Sequence, residues 1–289
     1  WTHTFLDNGD VGGSGYDVCT FHHVPTYGQY FNCDRMWEAG SGAGVTAAPF
    51  GGMTVKIGFL NDATGPIAEY GPGFVAASQI AIGLANTIGY SSGVQFELVY
   101  ADSGCSGDMG GSAAQSLVDA GVWGAVGAAC SGASMAANGI LSAAGIPQIS
   151  YASTSPALTD ATAYPGFFRV VPSDALQGQA MADVATADGQ DNIAVVHMTN
   201  SYGSGLADSF VANMDAAHIC TQIGYEETTT DFASAVQSVM DSGCTSVFLV
   251  SYATDGAMII EEMASQGYSG AIYGGDGIAE ERTGGRNIG

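Results

Sequence analysis

From Thr54 to Tyr273 the chain alternates short apolar runs with longer stretches of helical apolar spacing. That alternation restricts the possible fold more than any other feature of the 289 residues. Strand-like runs occupy Thr54–Leu60, Val94–Ala101, Val122–Val126 and Pro147–Tyr151. After a break they resume at Asn192–His197, Ile219–Glu226, Thr245–Val250 and Ala271–Tyr273. Helical spacing fills the intervals, at Gly71–Ile88, Gly111–Ala120, Ala133–Ala144, Asp174–Ala187, Gly203–Ala216, Asp231–Met240 and Asp255–Gln266. Strands alternating with helices of this length make βαβ units and parallel sheets. Two such runs, joined around Tyr151–Pro172, predict an α/β fold of two doubly wound, Rossmann-like lobes, 54–172 and 173–289. Ligands bind such sheets beyond the carboxyl ends of their strands. Here two of those edges would face each other across a cleft.

The first fifty residues follow a different pattern. Residues 1–39 read as a β segment, with antiparallel strands Val18–His23 and Tyr27–Cys33 about a turn at Pro25 and an earlier turn at Asp7–Asp10. Residues 40–53 contain the run GSGAGVTAAPFGG and read as a Gly/Ala-rich linker.

Charge excludes several functions. Five Lys and Arg against 28 Asp and Glu give a net charge of −23. Four arginines and the single Lys56 cannot neutralise a phosphate track, so nucleic acid is not a partner. An anionic membrane surface is disfavoured for the same reason. Disorder is excluded because 46% of residues are hydrophobic. The uncharged stretch 120–159 is interrupted by Gly124, Gly127, Ser131, Gly132, Ser134, Gly145 and Pro147. It reads as strand, loop, helix and strand rather than as a membrane span.

Six cysteines fall as three neighbouring pairs along the chain, Cys19/Cys33, Cys105/Cys130 and Cys220/Cys244. An even count with each pair in one supersecondary unit favours disulfides in an oxidising compartment; buried free thiols are the alternative. A zinc site is disfavoured because no C-x-x-C occurs and His22 and His23 are adjacent. An acidic, lysine-poor, disulfide-bonded chain points to an extracellular or cell-envelope location.

Five segments resemble the branched-chain amino-acid binding proteins that serve ABC importers, in that family's order and spacing. They are VKIGFLNDATGPIAEYGPG (55–73), the stretch from ACSGAS to PQISYASTSPALTD (129–160), FRVVPSDALQG (168–178), SYGSGLA (201–207) and TDF (230–232). The resemblance runs from about Thr54 to Gly277. It implies the type I periplasmic-binding-protein fold, and it strengthens the Cys105–Cys130 pairing, because family members carry a disulfide there.

The resemblance also implies a ligand site. Ser131, at a strand-to-helix turn, matches the serine that holds the ligand's α-carboxylate, a role that helix N-terminal amides support. Thr154 matches the threonine closing on the same carboxylate, and Ala152 offers a carbonyl to the ammonium. Tyr70 matches the aromatic covering the ligand side chain, Tyr202 the second-lobe tyrosine lining the cleft, and Tyr252 a pocket residue at a strand end. Asp276 occupies the place of the family's acidic partner of the α-ammonium, where Glu is usual.

Two departures stand beside this. The family's chain continues past the position of Gly289 and crosses again between lobes. Meanwhile Thr4–Phe21 resembles the family's extreme C-terminal strands, so the fold is expected to be incomplete or permuted at its termini. A circular permutation, the tail of a preceding repeat, a chain joined from pieces and an unrelated disulfide hairpin are the alternatives.

No G-x-S-x-G, H-E-x-x-H or P-loop occurs, and no base is placed beside a nucleophile, so the chain is not read as an enzyme. No cofactor or metal is implied. The expected function is capture of a small zwitterion, an amino acid or amide, for delivery to an ABC transporter permease. The alternative is a structural subunit of an extracellular surface layer or filament, self-associating through the N-terminal segment.

Overall fold

The computed structural model describes residues 53–87 and 94–279 in full. It adds the backbone of Ile88–Gly89 and of five strands nearer the N-terminus. Of these, β1 (Thr4–Phe5) pairs antiparallel with β2 (Val11–Gly12), while β3 (Gly15–Val24), β4 (Gly28–Glu38) and β5 (Val45–Ala47) form an antiparallel sheet. The Gly40–Gly52 stretch, expected as linker, therefore contributes a strand. Its β-branched Val45 and Thr46 favour extended pairing despite the surrounding glycines. The ladder shifts register between Val18 and Thr20, opposite Arg35 and Asn32, which is where Cys19 and Cys33 fall. The expected bond between those two cysteines lies outside the described residues.

The first lobe is a sheet of β6 (Met53–Asn61), β7 (Val94–Asp102), β8 (Gly124–Val126), β9 (Gln148–Ser150) and β10 (Phe167–Arg169). All pairs are parallel, in the order β7-β6-β8-β9-β10. Helices α1 (Gly71–Gly89), α2 (Gly107–Asp119) and α3 (Ser131–Ala143) connect them. The periodicity of the sequence does not show β10: three residues between Gly166 and Val170 carry no alternation to read. In the second lobe α4 (Asp174–Ala187) leads into β11 (Ile193–Met198), α5 (Ser201–Asn213), β12 (Ile219–Tyr225), α6 (Ala233–Asp241), β13 (Ser246–Val250), α7 (Ala253–Ser265) and β14 (Ala271–Gly274). These strands are again parallel, in the order β12-β11-β13-β14. Strands β11 and β13 are buried throughout, as unbroken apolar runs in a sheet covered on both faces should be. Segment Thr4–Phe21 pairs with its own neighbours, and among the described residues no strand pairs with the outer edge of β14.

Both lobes pack helix pairs through glycine. A methyl group at Gly110 of α2 would sit 2.6 Å from the Ala133 carbonyl of α3, and one at Gly178 of α4 2.5 Å from Ser209 Cβ of α5. Disulfides fasten two loops to this frame. Cys105–Cys130 (Cα–Cα 5.1 Å) ties the loop after β7 to the start of α3, and Cys220–Cys244 (6.1 Å) ties edge strand β12 to the turn before β13. Lys56 on β6 donates to the Ala120 carbonyl (3.1 Å), satisfying one of the open acceptors at the end of α2.

The strand orders explain where the cleft lies. In each lobe the chain reverses direction beside the first strand, between β6 and β8 and between β11 and β13. The crevices at such switch points open at the carboxyl ends of the strands.

Candidate functional site

Residues following β6, β8 and β9 meet residues following β11, β13 and β14 around a cavity of about 280 Å³. The first lobe supplies Ile67, Tyr70, Phe74, Ala129, Cys130, Ser131, Ala152 and Thr154 to its wall. The second supplies Tyr202, Tyr252, Asp276, Gly277 and Ala279. The structure thus brings all seven residues singled out in the sequence (Tyr70, Ser131, Ala152, Thr154, Tyr202, Tyr252 and Asp276) to one space.

One end of the cavity suits an anion. Cys130 has extended backbone at the N-cap of α3, so Ser131 opens the helix with its side chain buried. The first turn of a helix presents N–H groups without intrahelical acceptors, and its dipole favours negative charge. Ser131 Oγ accepts from the Ser155 amide (3.1 Å), which fixes the helix start against the loop bearing Ala152 and Thr154. A buried hydroxyl network holds that loop. Ser150 Oγ donates to the Ala128 carbonyl (2.6 Å), and Ser153 Oγ lies 2.9 Å from the Ala129 carbonyl and 2.8 Å from Ser134 Oγ. Arg169 adds donors from β10 to the carbonyl of Ser155 (2.9 Å) and to Thr159 Oγ1 (2.6 Å).

A neighbouring part of the cavity, supplied by the second lobe, suits a cation. Asp276 stands in a 3-10 turn after β14 and is open to the cleft. Tyr202, buried in the first turn of α5, donates to Asp276 Oδ1 (2.7 Å) and accepts from the Gly277 amide (3.0 Å). Burial, and then the neighbouring Asp276, hold the Tyr202 phenol far above its usual range, so it remains a donor. Behind it, Asp174 is 1% exposed at the start of α4. Its carboxyl is pushed up to about 7, chiefly by burial and further by Asp276, against the opposing pull of a Thr154 hydrogen bond and the charge of Arg169. With its nitrogen turned inward, the Gln177 amide donates to Oδ1 of both Asp276 (3.1 Å) and Asp174 (3.2 Å).

Aromatic and aliphatic side chains line the rest. Tyr70 stacks on Phe74 (6.2 Å between centroids), which packs on Tyr151 (4.9 Å), with Ile67 beside them in the wall. Tyr202 and Tyr252 stack almost parallel (5.5 Å, 6°), and Tyr252 Oη lies 3.5 Å from Cys105 Sγ across the cleft. An anion-seeking part and a cation-seeking part that meet where the Thr154 loop contacts Asp174, with an apolar wall beside them, suit a compact zwitterion.

Reading the sequence missed Asp174 and Gln177. A signal was present: an acid and an amide three residues apart in a first helical turn share a face, and both lie in the segment FRVVPSDALQG. The wall residues Ile67 and Phe74 were missed because single apolar residues near a strand end look like ordinary core.

Comparison with known proteins gives the same fold. The leucine binding protein of Thermotoga maritima superposes with a TM-score of 0.73 at 25% identity, covering 80% of this chain and 67% of that one. The branched-chain amino acid transporter substrate binding protein of Streptococcus pneumoniae, solved with isoleucine, gives 0.70 at 26%, with 80% and 67% covered. The Leu/Ile/Val-binding protein homolog 3 of Brucella melitensis is 28% identical over 229 residues, 78% of this chain and 62% of that protein. This chain spans 62–66% of the length of that protein and three other bacterial amino-acid-binding relatives. The family model for the periplasmic binding protein matches residues 54–286. Both lobes and every residue of the cleft fall within that match, and the chain belongs to the periplasmic binding protein family.

Proposed function

We propose that the cleft captures a small amino acid, with its carboxylate at Ser131, Thr154 and the start of α3, and its ammonium at Asp276 and the Ala152 carbonyl. One observation carries this reading: an anion-seeking helix start from one lobe and a carboxylate from the other line the same cavity of about 280 Å³. The wall formed by Ile67, Tyr70 and Phe74 favours an aliphatic side chain, and relatives named as Leu/Ile/Val-binding support that choice. Hinge closure of the lobes would bury the charged head group, with no covalent chemistry. Likeness to a transporter substrate binding protein supports delivery to an ABC permease outside the cytoplasm. Among the described residues no helix is long and apolar enough to cross a membrane.

Calorimetry with three probes tests the reading. L-Leucine should bind, whereas isoamylamine, which lacks the carboxylate, and 4-methylpentanoate, which lacks the ammonium, should bind at least tenfold more weakly, as loss of a charged hydrogen-bonded group requires. Equal binding of all three would refute a zwitterion site.

A further inference from the structure

The cation-seeking end holds two carboxyl groups where one would neutralise an ammonium. Asp276 is open to the cleft and Asp174 is buried, yet both lie within hydrogen-bond reach of one Gln177 amide, whose nitrogen turned inward serves Oδ1 of each. The other charged and titratable groups facing Asp174 are committed elsewhere. Arg169, on β10, directs its guanidinium to the carbonyls of Ser153 and Ser155 and to Thr159. Tyr202, on α5, donates to Asp276. Asp174 Oδ2 is buried with no hydrogen-bond partner. An ionised carboxylate with an orphaned buried oxygen, beside a second carboxylate, is costly; the neutral acid is not.

We propose that Asp174 carries a proton in the ligand-free cleft, and that a ligand's ammonium arriving at Asp276 expels it. This rests on the amino-acid reading above. The proton passes to solvent, Asp174 becomes a carboxylate, and the ammonium enters intact. The cation-seeking end therefore holds a net charge of −1 before and after binding. The two carboxyl groups, close enough to meet one Gln177 amide, sense each other's charge directly. The carboxyl of Asp174, held near 7, places the exchange in the neutral range.

L-Leucine calorimetry in phosphate and in Tris, whose ionisation heats differ widely, measures the protons released. The expected result is close to one proton at pH 6, almost none at pH 8.5, and an affinity rising about tenfold from pH 6 to pH 8. Identical heats in both buffers with a flat affinity profile would overturn the proton exchange while leaving the amino-acid reading intact. Carbon-13 NMR of aspartate carboxyls in the ligand-free protein tests the resting state separately. The carboxyl that is missing from Asp174→Asn should titrate near neutrality; if it titrates below pH 5.5, the proposal fails whether or not leucine binds. If the folded protein binds no L-leucine at any pH, the amino-acid reading fails and the expulsion step fails with it.

Discussion

Tyr202 donates its phenolic hydrogen to Asp276 at 2.7 Å while accepting the amide of Gly277, the next residue along. The tyrosine thus grips both a side chain and the backbone of one turn, and so sets where the carboxylate stands relative to the opposite lobe. Its ring meanwhile stacks on Tyr252, which reaches across to Cys105.

Tyr202→Phe keeps that ring stacking and removes only the grip. Leucine binding should weaken by about 1.5 kcal/mol, roughly tenfold, with little change in melting temperature. Titration calorimetry and a thermal melt on the same sample separate the two effects. A large fall in stability with unchanged affinity would show that the bond serves folding instead.

Ser131→Ala and Asp276→Asn address the two ends of the site. Each should cost about 1.5–3 kcal/mol of leucine affinity, the range for a hydrogen bond to a charged group. Undiminished affinity in both variants would remove the site assignment while leaving the fold untouched.

Asp174 also has a stability signature. A carboxyl raised from 3.8 to about 7 stabilises the folded state fully below its unfolded value, and that contribution is lost as pH rises through the folded value. Asp174→Asn cannot ionise. Relative to the native protein it should therefore gain about 2–4 kcal/mol between pH 4 and pH 8 in the absence of ligand. Paired denaturant titrations at those two pH values measure the gain, and parallel curves would contradict a raised carboxyl.

Gly110→Leu tests the seam between α2 and α3. Even a Cβ would meet the Ala133 carbonyl at 2.6 Å, so the helices must separate, at a cost of about 1–3 kcal/mol or more. Gly139, on the same α3 but with nothing within 4 Å, provides the contrast: Gly139→Ala should be neutral or slightly stabilising.

Much of this architecture is legible in the residues, for identifiable reasons. Strands β11 and β13 announce themselves because a parallel strand buried on both faces reads as a near-continuous apolar run. Seven cavity residues could be named because the chain resembles the branched-chain amino-acid binding proteins around the strand ends and helix starts that build the cleft. What escaped detection was short or nonlocal. Strands β5 and β10 have three residues each, too few to show a period. The contacts of Ser134, Ser150 and Ser153 depend on a loop folding back across 19 to 25 positions, which no local spacing encodes. Asp174 reads as an ordinary acid at a helix start, where acids are common for dipole reasons alone. Only its tertiary burial, with Asp276 beside it, gives it a different character.

Arg169 closes β10 just before residues 170–173, which carry the chain from the first lobe to the second. It is one of five basic residues in the whole sequence, and its guanidinium is bound to the Ser155 carbonyl and Thr159. Trypsin needs that side chain free and extended. Cleavage after Arg169 therefore requires the Ser153–Thr159 loop, which bears the anion-seeking end of the cleft, to let go first. Digestion at this one bond is a clock on the inter-lobe crossing, and a ligand that tightens the loop slows it.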